Sequence, residues 1–582
     1  MAAGGSVLVL DGDKLHALDI VRSLGQCGLT VSVGAPARDA IAGASRFAAA
    51  RLVYPHPARD RDRFIEWLEQ ELRTGAFRLV MPVTDLTGIP ISRELSRLQA
   101  YCPIATERFE TIQLVSDKRR TLALAARVGV PVPATMAVHR EDEIDGCAAL
   151  LTYPVVCKPM ASSVWTPAGY LSPSVFYALD EQALRRSLPP RVRECPFLVQ
   201  EFRRGAGMGV EVLARNGEIL QAFQHQRLHE LPLSGGASTY RMSVPLDPRL
   251  GEYTRRLIAE IGWTGVAMVE FKVDLATHEA VLMEINGRFW GSLPLSSRAG
   301  MSFAKDLHDM LTTGCTPPAR RYAVGVRCRK LRDDLEWFKE TAKLRARDPL
   351  VAAGIIRKPS ARTWLSALLR FASPAEHYDA QTLSDPIPGL IDLRATVVTQ
   401  AASIRRHLAT AVRRLGSRVY RMRYTSRLLA RAASAERVLF LCYGNIMRSA
   451  FAGAYYASRA RGEALSAGFH QRDKRPADPR AVAAARTWGV DLSSHRSRTI
   501  DRELMSRADL VLVMDHANLA ALATRYPDAL EKTYLLGSLD SEPDVEIADP
   551  FEAEDAATEQ ACGRIAGAID RLLVHVSCGL PS

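Results

Sequence analysis

The stretch VAMVEFKVDLATHEAVLMEIN, residues 266–286, predicts a β-hairpin that carries an acidic face. Two runs with strand-like side-chain patterns flank a polar turn, residues 274–279. Glu284 and Asn286 are two residues apart, so they share one face of the second strand, and Glu270 can lie across from Glu284 when the hairpin closes. Two carboxylates and an amide oxygen at one point suit a hard divalent cation that also binds phosphate oxygens.

Three basic residues fit the same kind of site. Arg288 keeps the face of Asn286 if the strand continues, and it can hold an anionic group beside the cation. Lys158 follows an apolar strand and precedes a proline, and Lys118 stands where the first α/β segment ends. Taken singly, each of these residues is more typical of a solvated surface. Their ordered combination favours a site for metal-bound phosphates.

The motifs around these residues resemble those of ATP-grasp enzymes, in which ATP lies between two α+β lobes. In order, they are VSDKRRT (115–121), YPVVCKP (153–159), LVQEF (198–202), MVEF (268–271) and LMEINGRFWGSL (282–293). The resemblance implies phosphate contacts from Lys118 and Lys158, an adenine hinge from Gln200, Glu201 and Phe202, a cation site from Glu270, Glu284 and Asn286, and an anion contact from Arg288. It implies ATP and Mg²⁺ as cofactors, with Mn²⁺ as the alternative ion.

The activity that this resemblance implies is that of a carboxylate–amine ligase of the EC 6.3 type. A substrate carboxylate attacks the γ-phosphate to give an acyl-phosphate and ADP, and an amine then displaces phosphate. The stretch RLHELPLSGGASTYR, residues 227–241, is either a mobile loop over the site, with Arg241 facing phosphate, or an ordinary exposed loop.

A second motif, RVLFLCYGNIMRSAFAG, occupies residues 437–453. A strand that ends at Cys442, a tight loop, Arg448 and a helix beginning at Ser449 together make an anion cradle. Gly444 and Asn445 suit the positive φ of such a loop. The same positive field favours a nucleophilic thiolate, and Ser449 can donate a hydrogen bond to its sulfur. The pattern C-x-G-N-x-x-R-S argues against a buried structural cysteine beside a chance arginine.

This motif resembles that of the low-molecular-weight protein tyrosine phosphatases. Four later stretches support the resemblance: LSAGF (465–469), GVDLSSHRSR (489–498), ADLVLVMDHAN (508–518) and IADPF (547–551). It implies an EC 3.1.3-type activity in which Cys442 attacks phosphorus, Arg448 binds the phosphate and Asp549 acts as general acid and then general base. Met447 replaces the second cysteine that the family often has before the arginine, which removes that redox partner.

Composition favours a protein of the cytoplasm. Its 582 residues carry a net charge of +12, the ten cysteines form no CxxC pair, and the start shows neither a signal peptide nor a long apolar run. Nine arginines and no acidic residue fall within residues 401–434, together with Ile404, Leu408, Val412, Leu415 and Val419 at helical spacing. We expect an amphipathic helix that packs on one domain with a solvated basic face. Peripheral contact with an anionic membrane and an acidic partner are the alternatives, and no nucleic acid is expected.

The sequence therefore predicts an α/β and α+β multidomain protein. We expect a Rossmann-like α/β domain (1–115), an ATP-grasp domain of two α+β lobes (116–325), a basic helical connector (326–435) and an α/β phosphatase domain with a central parallel sheet (436–582). The predicted function is a bifunctional ligase and phosphatase acting in one pathway on small-molecule carboxylate, amine and phosphorylated substrates. The first alternative is a regulatory protein tyrosine phosphatase with a nucleotide-binding ATP-grasp module, in cell-surface polysaccharide control. The second is an ATP-grasp part that only senses nucleotide.

Overall fold

The computed structural model describes residues 6–160, 164–166, 169–171, 173–460, 462–553 and 555–577. The chain divides into two compact units, Met1–Val398 and Thr399–Ser582. Among the described residues, no helix is both long and apolar enough to cross a membrane.

The first unit opens with a parallel sheet. Its strands are β1 (Ser6–Val9), β2 (Val31–Ala35), β3 (Ala48–Val53) and β4 (Phe77–Met81), in the order β3-β2-β1-β4. A single bridge between Ile104 and Val80 adds to the edge of this sheet. Beyond the end of β1, the buried Asp11 accepts hydrogen bonds from Thr87 Oγ1 (2.6 Å) and from the backbone N–H of Thr84 (2.8 Å). This carboxylate therefore ties together the loops that follow β1 and β4.

A second, antiparallel sheet forms the smaller of two lobes in the first unit. The next strands are β5 (Thr135–Val138), β6 (Val155–Pro159), β7 (Val164–Thr166), β8 (Gly169–Leu171), β9 (Phe176–Ala178) and β10 (Phe197–Glu201). The sheet order is β5-β10-β6-β9, while β7 and β8 pair with each other. Pairing of β6 with β10 brings Lys158 and Gln200 to neighbouring positions on adjacent strands.

The larger lobe is built on a long mixed sheet. Its strands are β11 (Ala206–Arg215), β12 (Glu218–Leu231), β13 (Ala237–Ser243), β14 (Gly265–Val273), β15 (Ala280–Asn286), β16 (Arg327–Arg329) and β17 (Glu376–Tyr378), in the order β15-β14-β11-β12-β13-β16-β17. The hairpin of β14 and β15 forms as expected, with Glu270 directly opposite Glu284. Strands β16 and β17 lie inside the segment expected to be a helical connector. Each has only three residues, which is too short to show a strand pattern in the sequence.

The helices of the first unit surround these sheets. They are α1 (Leu15–Gln26), α2 (Arg61–Arg73), α3 (Asp85–Arg93), α4 (Leu95–Leu98), α5 (Phe109–Ser116), α6 (Lys118–Arg127), α7 (Ile144–Leu150), α8 (Glu181–Ser187), α9 (Pro189–Val192), α10 (Pro248–Ile261), α11 (Leu293–Arg298), α12 (Phe303–Thr313), α13 (Leu331–Lys343), α14 (Pro349–Ala352), α15 (Ala361–Leu369) and the long α16 (Pro386–Ala432), whose first part belongs to this unit.

Residues 227–241 form neither a mobile loop over the site nor an ordinary exposed loop, so both predictions for this stretch are wrong. The segment is the end of β12, a short turn and most of β13. Arg241 is fully buried and forms an ion pair with Asp379, close to β17, so it does not face a phosphate. The alternating polar residues of this stretch belong to a sheet face that is buried by charge pairing, which a hydrophobicity pattern does not reveal.

The second unit contains a parallel sheet, as predicted. Its strands are β18 (Arg437–Cys442), β19 (Glu463–Gly468), β20 (Leu510–Val513) and β21 (Thr533–Leu535), in the order β19-β18-β20-β21. Its further helices are α17 (Arg448–Ala457), α18 (Pro479–Thr487), α19 (Arg502–Arg507), α20 (His516–Arg525) and α21 (Asp555–Ser577). Parallel strands end at the same edge of the sheet, so the loops after β18 and β20 meet there.

The end of α16 packs on this second unit, but not through the residues that the sequence suggested. Leu428 is buried in the core, and Ser417 Oγ donates to Asp544 Oδ1 (3.2 Å). The expected packing residues are instead exposed, each by at least half: Ile404, Leu408, Val412, Leu415 and Val419. The prediction that this apolar stripe packs on a domain is therefore wrong.

Candidate functional sites

A cavity of about 840 Å³ lies between the lobes of the first unit. Every residue that the sequence assigned to the nucleotide site lines it: Lys118, Lys158, Gln200, Glu201, Phe202, Glu270, Glu284, Asn286 and Arg288. Residues that are far apart in the chain therefore lie on one surface, as the ordered set of motifs predicted.

The acidic group of the cavity is held by the β14–β15 hairpin. Asn286 Nδ2 donates to Glu270 Oε1 (3.1 Å) and to Glu284 Oε1 (3.3 Å), so the three side chains converge. Burial raises the pKa of Glu270, while the nearby Arg227 lowers it. Burial also acts to raise the pKa of Glu284, but Lys118 and Lys158 outweigh it and bring the pKa down to about 2.

Two lysines face the acidic group from different elements. Lys118, the first residue of α6, lies 3.2 Å from Glu284 Oε2. Lys158 Nζ, on β6, donates to Gln200 Oε1 (3.0 Å). Burial lowers the pKa of Lys158 to about 8, with Glu284 acting in the opposite direction. A partly buried ammonium that no carboxylate contacts among the described residues is suited to receive a phosphate oxygen.

Arg288 is oriented by neighbours on both sides. Its Nε donates to Asp85 Oδ2 (2.9 Å) at the start of α3, and an Nη donates to Asn286 Oδ1 (3.0 Å). Burial acts to lower the pKa of Arg288, but the negative charges of Asp85 and the two glutamates outweigh it. The pKa is therefore raised and the guanidinium stays charged. Its other Nη donates to the backbone carbonyl oxygen of Phe289 (2.9 Å).

The cavity also contains basic residues that the sequence did not single out. Arg227, on β12, forms an ion pair with Glu270 (2.5 Å). Lys14, His16 and Lys330 line the wall beside Arg288. Burial lowers the pKa of His16 to about 3, helped by these cations, and its Nε2 has no hydrogen-bond partner among the described residues. These four residues come from different elements and share no regular spacing in the sequence, so only the fold could bring them together.

The second site lies at the carboxyl edge of the parallel sheet in the second unit. Cys442 ends β18, and the backbone N–H of Asn445 donates to its Sγ (3.3 Å). Ser449 Oγ lies 3.0 Å from the same sulfur. Asn445 adopts the expected positive φ of 50°. Gly468 allows the loop its close approach, since a Cβ there would lie 2.8 Å from Tyr443 O.

A hydrogen-bond network fixes the loop around Asn445. Its side-chain amide donates to Ser449 Oγ (3.0 Å) and Ser466 Oγ (3.1 Å), and its Oδ1 accepts from the backbone N–H of Arg498 (2.8 Å). His495 Nε2 lies 2.8 Å from the Asn445 carbonyl oxygen. The segment 489–498 therefore supports the loop from outside, which gives its motif a physical role.

Arg448 begins α17 beneath this loop and holds two carboxylates. One Nη donates to Asp515 Oδ2 (2.7 Å), and the other pairs with Asp549. The guanidinium is buried, whereas the Asp549 side chain is 44% exposed. Burial acts to lower the pKa of Arg448, but Cys442 and the two aspartates raise it. Asp549 is thus the more exposed of the two carboxylates that contact Arg448.

Asp515 is the functional-site residue that the sequence reasoning missed here. It comes two residues after β20, at the sheet edge where Cys442 ends β18, and it caps α20 by accepting from the backbone N–H of Asn518 (2.7 Å). Its place after a central strand was the available signal. An aspartate before a helix reads equally well as a simple cap, so its contact with Arg448 needed the structure.

Each of the two units contains a stretch that matches a known protein family. The family model described as low molecular weight phosphotyrosine protein phosphatase matches residues 437–578. The model described as ATP-grasp in the biosynthetic pathway with Ter operon matches residues 193–332. The chain therefore belongs to the low molecular weight phosphotyrosine protein phosphatase family through its C-terminal part. An ATP-grasp ligase domain is fused ahead of it, and both family-level predictions are confirmed.

Three similar proteins illustrate these relationships. The probable low molecular weight protein-tyrosine-phosphatase EpsP of Ralstonia nicotianae is 36% identical over 136 residues, which are 23% of this chain and 92% of that protein. The protein-arginine-phosphatase of Geobacillus stearothermophilus is 31% identical over 138 residues, which are 23% of this chain and 93% of that protein. The ADP complex of N5-carboxyaminoimidazole synthetase from Staphylococcus aureus is 17% identical, covers 55% of this chain and 80% of that chain, and has a TM-score of 0.44.

Proposed function

We propose that the first unit is an ATP-dependent ligase that activates a carboxylate as an acyl-phosphate for attack by an amine. The observation that carries the proposal is the meeting of Glu270, Glu284, Asn286, Lys118 and Lys158 on one cavity wall. Carboxylates, an amide and buried ammonium groups in this arrangement match a triphosphate and its metal ion.

The donor set fits Mg²⁺, the metal that we assign to this site. Glu270 and Glu284 supply carboxylate oxygens. The Asn286 amide oxygen accepts from Arg288 in this structure and joins the donor set when the amide turns over. Such oxygen donors are the ligands that Mg²⁺ prefers. When bound, the ion neutralises charge on the phosphate oxygens and so promotes transfer of the γ-phosphoryl group.

In the first step, the protein's residues position the γ-phosphate. Lys158 and Lys118 hold its oxygens, and Gln200, Glu201 and Phe202 contact the base. The substrate carboxylate oxygen bonds to γ-phosphorus, and the bond from that phosphorus to the bridging oxygen breaks, which releases ADP. Positioning and charge neutralisation supply the rate increase.

In the second step, the amine attacks the acyl carbon, the bond from that carbon to the phosphate oxygen breaks, and phosphate leaves as the amine loses a proton. The wall formed by Arg288, Lys14 and Lys330 favours an anionic carboxylate substrate at this end of the cavity. Neutral His16 adds a buried ring nitrogen that the substrate can satisfy.

We further propose that the second unit hydrolyses a phosphomonoester through a phosphocysteine intermediate. Cys442 Sγ bonds to phosphorus while the ester oxygen leaves and takes a proton from Asp549. Asp549 then accepts a proton from the water that attacks the phosphocysteine, which frees inorganic phosphate and the thiolate. Arg448 holds the phosphate oxygens through both steps.

For the phosphatase substrate we propose a phosphorylated metabolite of the ligase's own pathway. Phosphotyrosine on a partner protein is the second candidate, favoured by the similarity of this unit to EpsP. Assays of the full chain on phosphotyrosine peptides and on phosphorylated metabolites separate the two. If Cys442→Ser leaves the pathway product unchanged while the ligase turns over, the shared pathway is rejected.

The ligase proposal is tested with a metabolite extract. The full chain is incubated with Mg-ATP and the extract, and mass spectrometry identifies masses that change with wild type and not with Glu284→Ala. Glu279→Ala is the matched control, because Glu279 lies in the turn of the same hairpin and is exposed. ATP binding without any ADP formation across carboxylate and amine pools would reject a ligase and favour a nucleotide sensor.

A further inference from the structure

We infer that the exposed stripe of α16 is a docking surface for an anionic lipid bilayer. The stripe is defined by Ile404, Leu408, Val412, Leu415, Val419 and Met422. These side chains are exposed by 50–73%, although all six are apolar. An uninterrupted row of this kind on a helix is uncommon on a surface that faces only water.

The stripe lies on the side of the helix opposite to the phosphatase core. Residues nine apart in an α-helix are about two and a half turns apart and so point in opposite directions. Leu408 pairs in this way with Ser417, Leu415 with Tyr424, and Val419 with Leu428. Ser417 and Leu428 are buried, and Tyr424 packs against the core, so the core has taken the other side of the helix.

The anchoring contacts keep that orientation fixed. Tyr420 Oη accepts from the backbone N–H of Leu535 (3.0 Å), and Arg421 donates to the carbonyl oxygen of Gly537 (3.1 Å). The helix therefore cannot rotate its stripe inward without losing these bonds. Rotation would also expose Leu428, which is completely buried.

Charge decides which partner fits the stripe. The segment 401–434 contains nine arginines and no acidic residue. Arg405, Arg418 and Arg423 are exposed and adjoin Ile404, Val419 and Met422 in the helix, so they flank the stripe at about 100° around the helix axis from these residues. Phosphate headgroups with acyl chains beneath them offer the negative and apolar surfaces that this helix needs side by side.

The other occupants match only one of these two features. A second copy of the helix would cover the stripe but would bring two arginine-rich segments together without a counter-charge. A nucleic acid would satisfy the arginines but would leave the apolar side chains in water. A bilayer surface satisfies both, and it does so with the helix lying flat at the interface.

Vesicle co-sedimentation of the full chain tests this inference. We expect binding to vesicles of phosphatidylcholine with about 30 mol% phosphatidylglycerol, little binding to phosphatidylcholine alone, and loss of binding at high salt. Leu408→Asp/Leu415→Asp should weaken the partition about tenfold or more. Leu365→Asp/Leu369→Asp is the matched control, since these leucines are similarly exposed four residues apart on α15.

Hydrolysis of p-nitrophenyl phosphate shows that each variant is folded, because none of these leucines lies in the catalytic site. Arg405→Gln/Arg418→Gln provides a second variant, and it should reduce the difference between anionic and neutral vesicles. The inference is overturned if wild type stays in the supernatant with anionic vesicles, or if the stripe variant sediments as wild type does. It is also overturned if light scattering shows a dimer that the stripe variant converts to monomer, or if the chain binds duplex DNA but not vesicles.

Discussion

Glu270 and Glu284 lie directly opposite each other on neighbouring antiparallel strands, and the amide of Asn286 donates to both. Two partly buried carboxylates this close repel each other unless cations balance them. Arg227 lies on the side of Glu270 and Lys118 on the side of Glu284. The pair is thus held ready for a divalent cation by residues that also reach the phosphates.

The affinity for Mg-ATP should fall as the pH rises through about 8. Burial lowers the pKa of Lys158 to about 8, so its ammonium, the form that binds phosphate, is mostly present at pH 7 and mostly lost at pH 9. Above the pKa, loss of the charge should weaken binding by up to about tenfold per pH unit. Calorimetric titration with Mg-ATP between pH 7 and 9 measures this slope. Lys158→Met should bind weakly at all pH values and without the slope; the same slope in that variant would contradict the assignment.

Substitution of Arg288 should separate carboxylate binding from nucleotide binding. Asp85 and Asn286 hold its guanidinium beside the basic wall rather than against the lysines. Arg288→Met should therefore raise the KM for the carboxylate about tenfold or more, since a charge-assisted contact is lost, with little change in the Kd for Mg-ADP. Steady-state kinetics and calorimetry give the two values. An equal loss in both would place Arg288 on the nucleotide.

Asp549→Asn should affect poor leaving groups more than good ones. The role given to Asp549 is protonation of the departing oxygen, which an activated phenol scarcely needs. We expect a loss of about 10²-fold or more with phenyl phosphate and a clearly smaller loss with p-nitrophenyl phosphate. Equal losses on the two substrates would show that Asp549 acts only by orienting Arg448.

Asp515→Asn should weaken phosphate binding through Arg448. Asparagine keeps the cap of α20, so the helix should survive, while the charge that orients Arg448 is removed. Inhibition by inorganic phosphate should weaken about tenfold, and the KM for p-nitrophenyl phosphate should rise with it. Asp528→Asn, an exposed aspartate in the same unit, is the control. Unchanged phosphate inhibition would show that Asp549 alone positions the arginine.

Much of both sites could be predicted because their residues lie in short, ordered motifs. The alternation around Glu270 and Glu284 fixed one hairpin, and the spacing from Cys442 to Arg448 fixed one strand–loop–helix unit. In each case a local backbone rule places the side chains, so sequence distance translates directly into geometry.

The rest depended on contacts between distant segments. Arg227 on β12 contacts Glu270 on β14, with β11 between the two strands. Asp515 contacts Arg448 from the loop that follows β20. The stripe of α16 is a different case. The sequence predicted its apolar spacing correctly, but it predicted the wrong side of the helix for contact with the core. Periodicity shows that a helix has two faces, and only tertiary packing decides which face is covered.

The central claim is that one chain carries two separate catalytic sites. The most direct measurement applies two assays to the full-length wild type, Glu284→Ala and Cys442→Ser. One assay follows ADP formation with Mg-ATP and metabolite extract, and the other follows hydrolysis of p-nitrophenyl phosphate. We expect Glu284→Ala to lose ADP formation by about 10²-fold or more and to keep hydrolysis, and Cys442→Ser to do the reverse. ADP formation that persists in Glu284→Ala, or hydrolysis that persists in Cys442→Ser, would contradict the account.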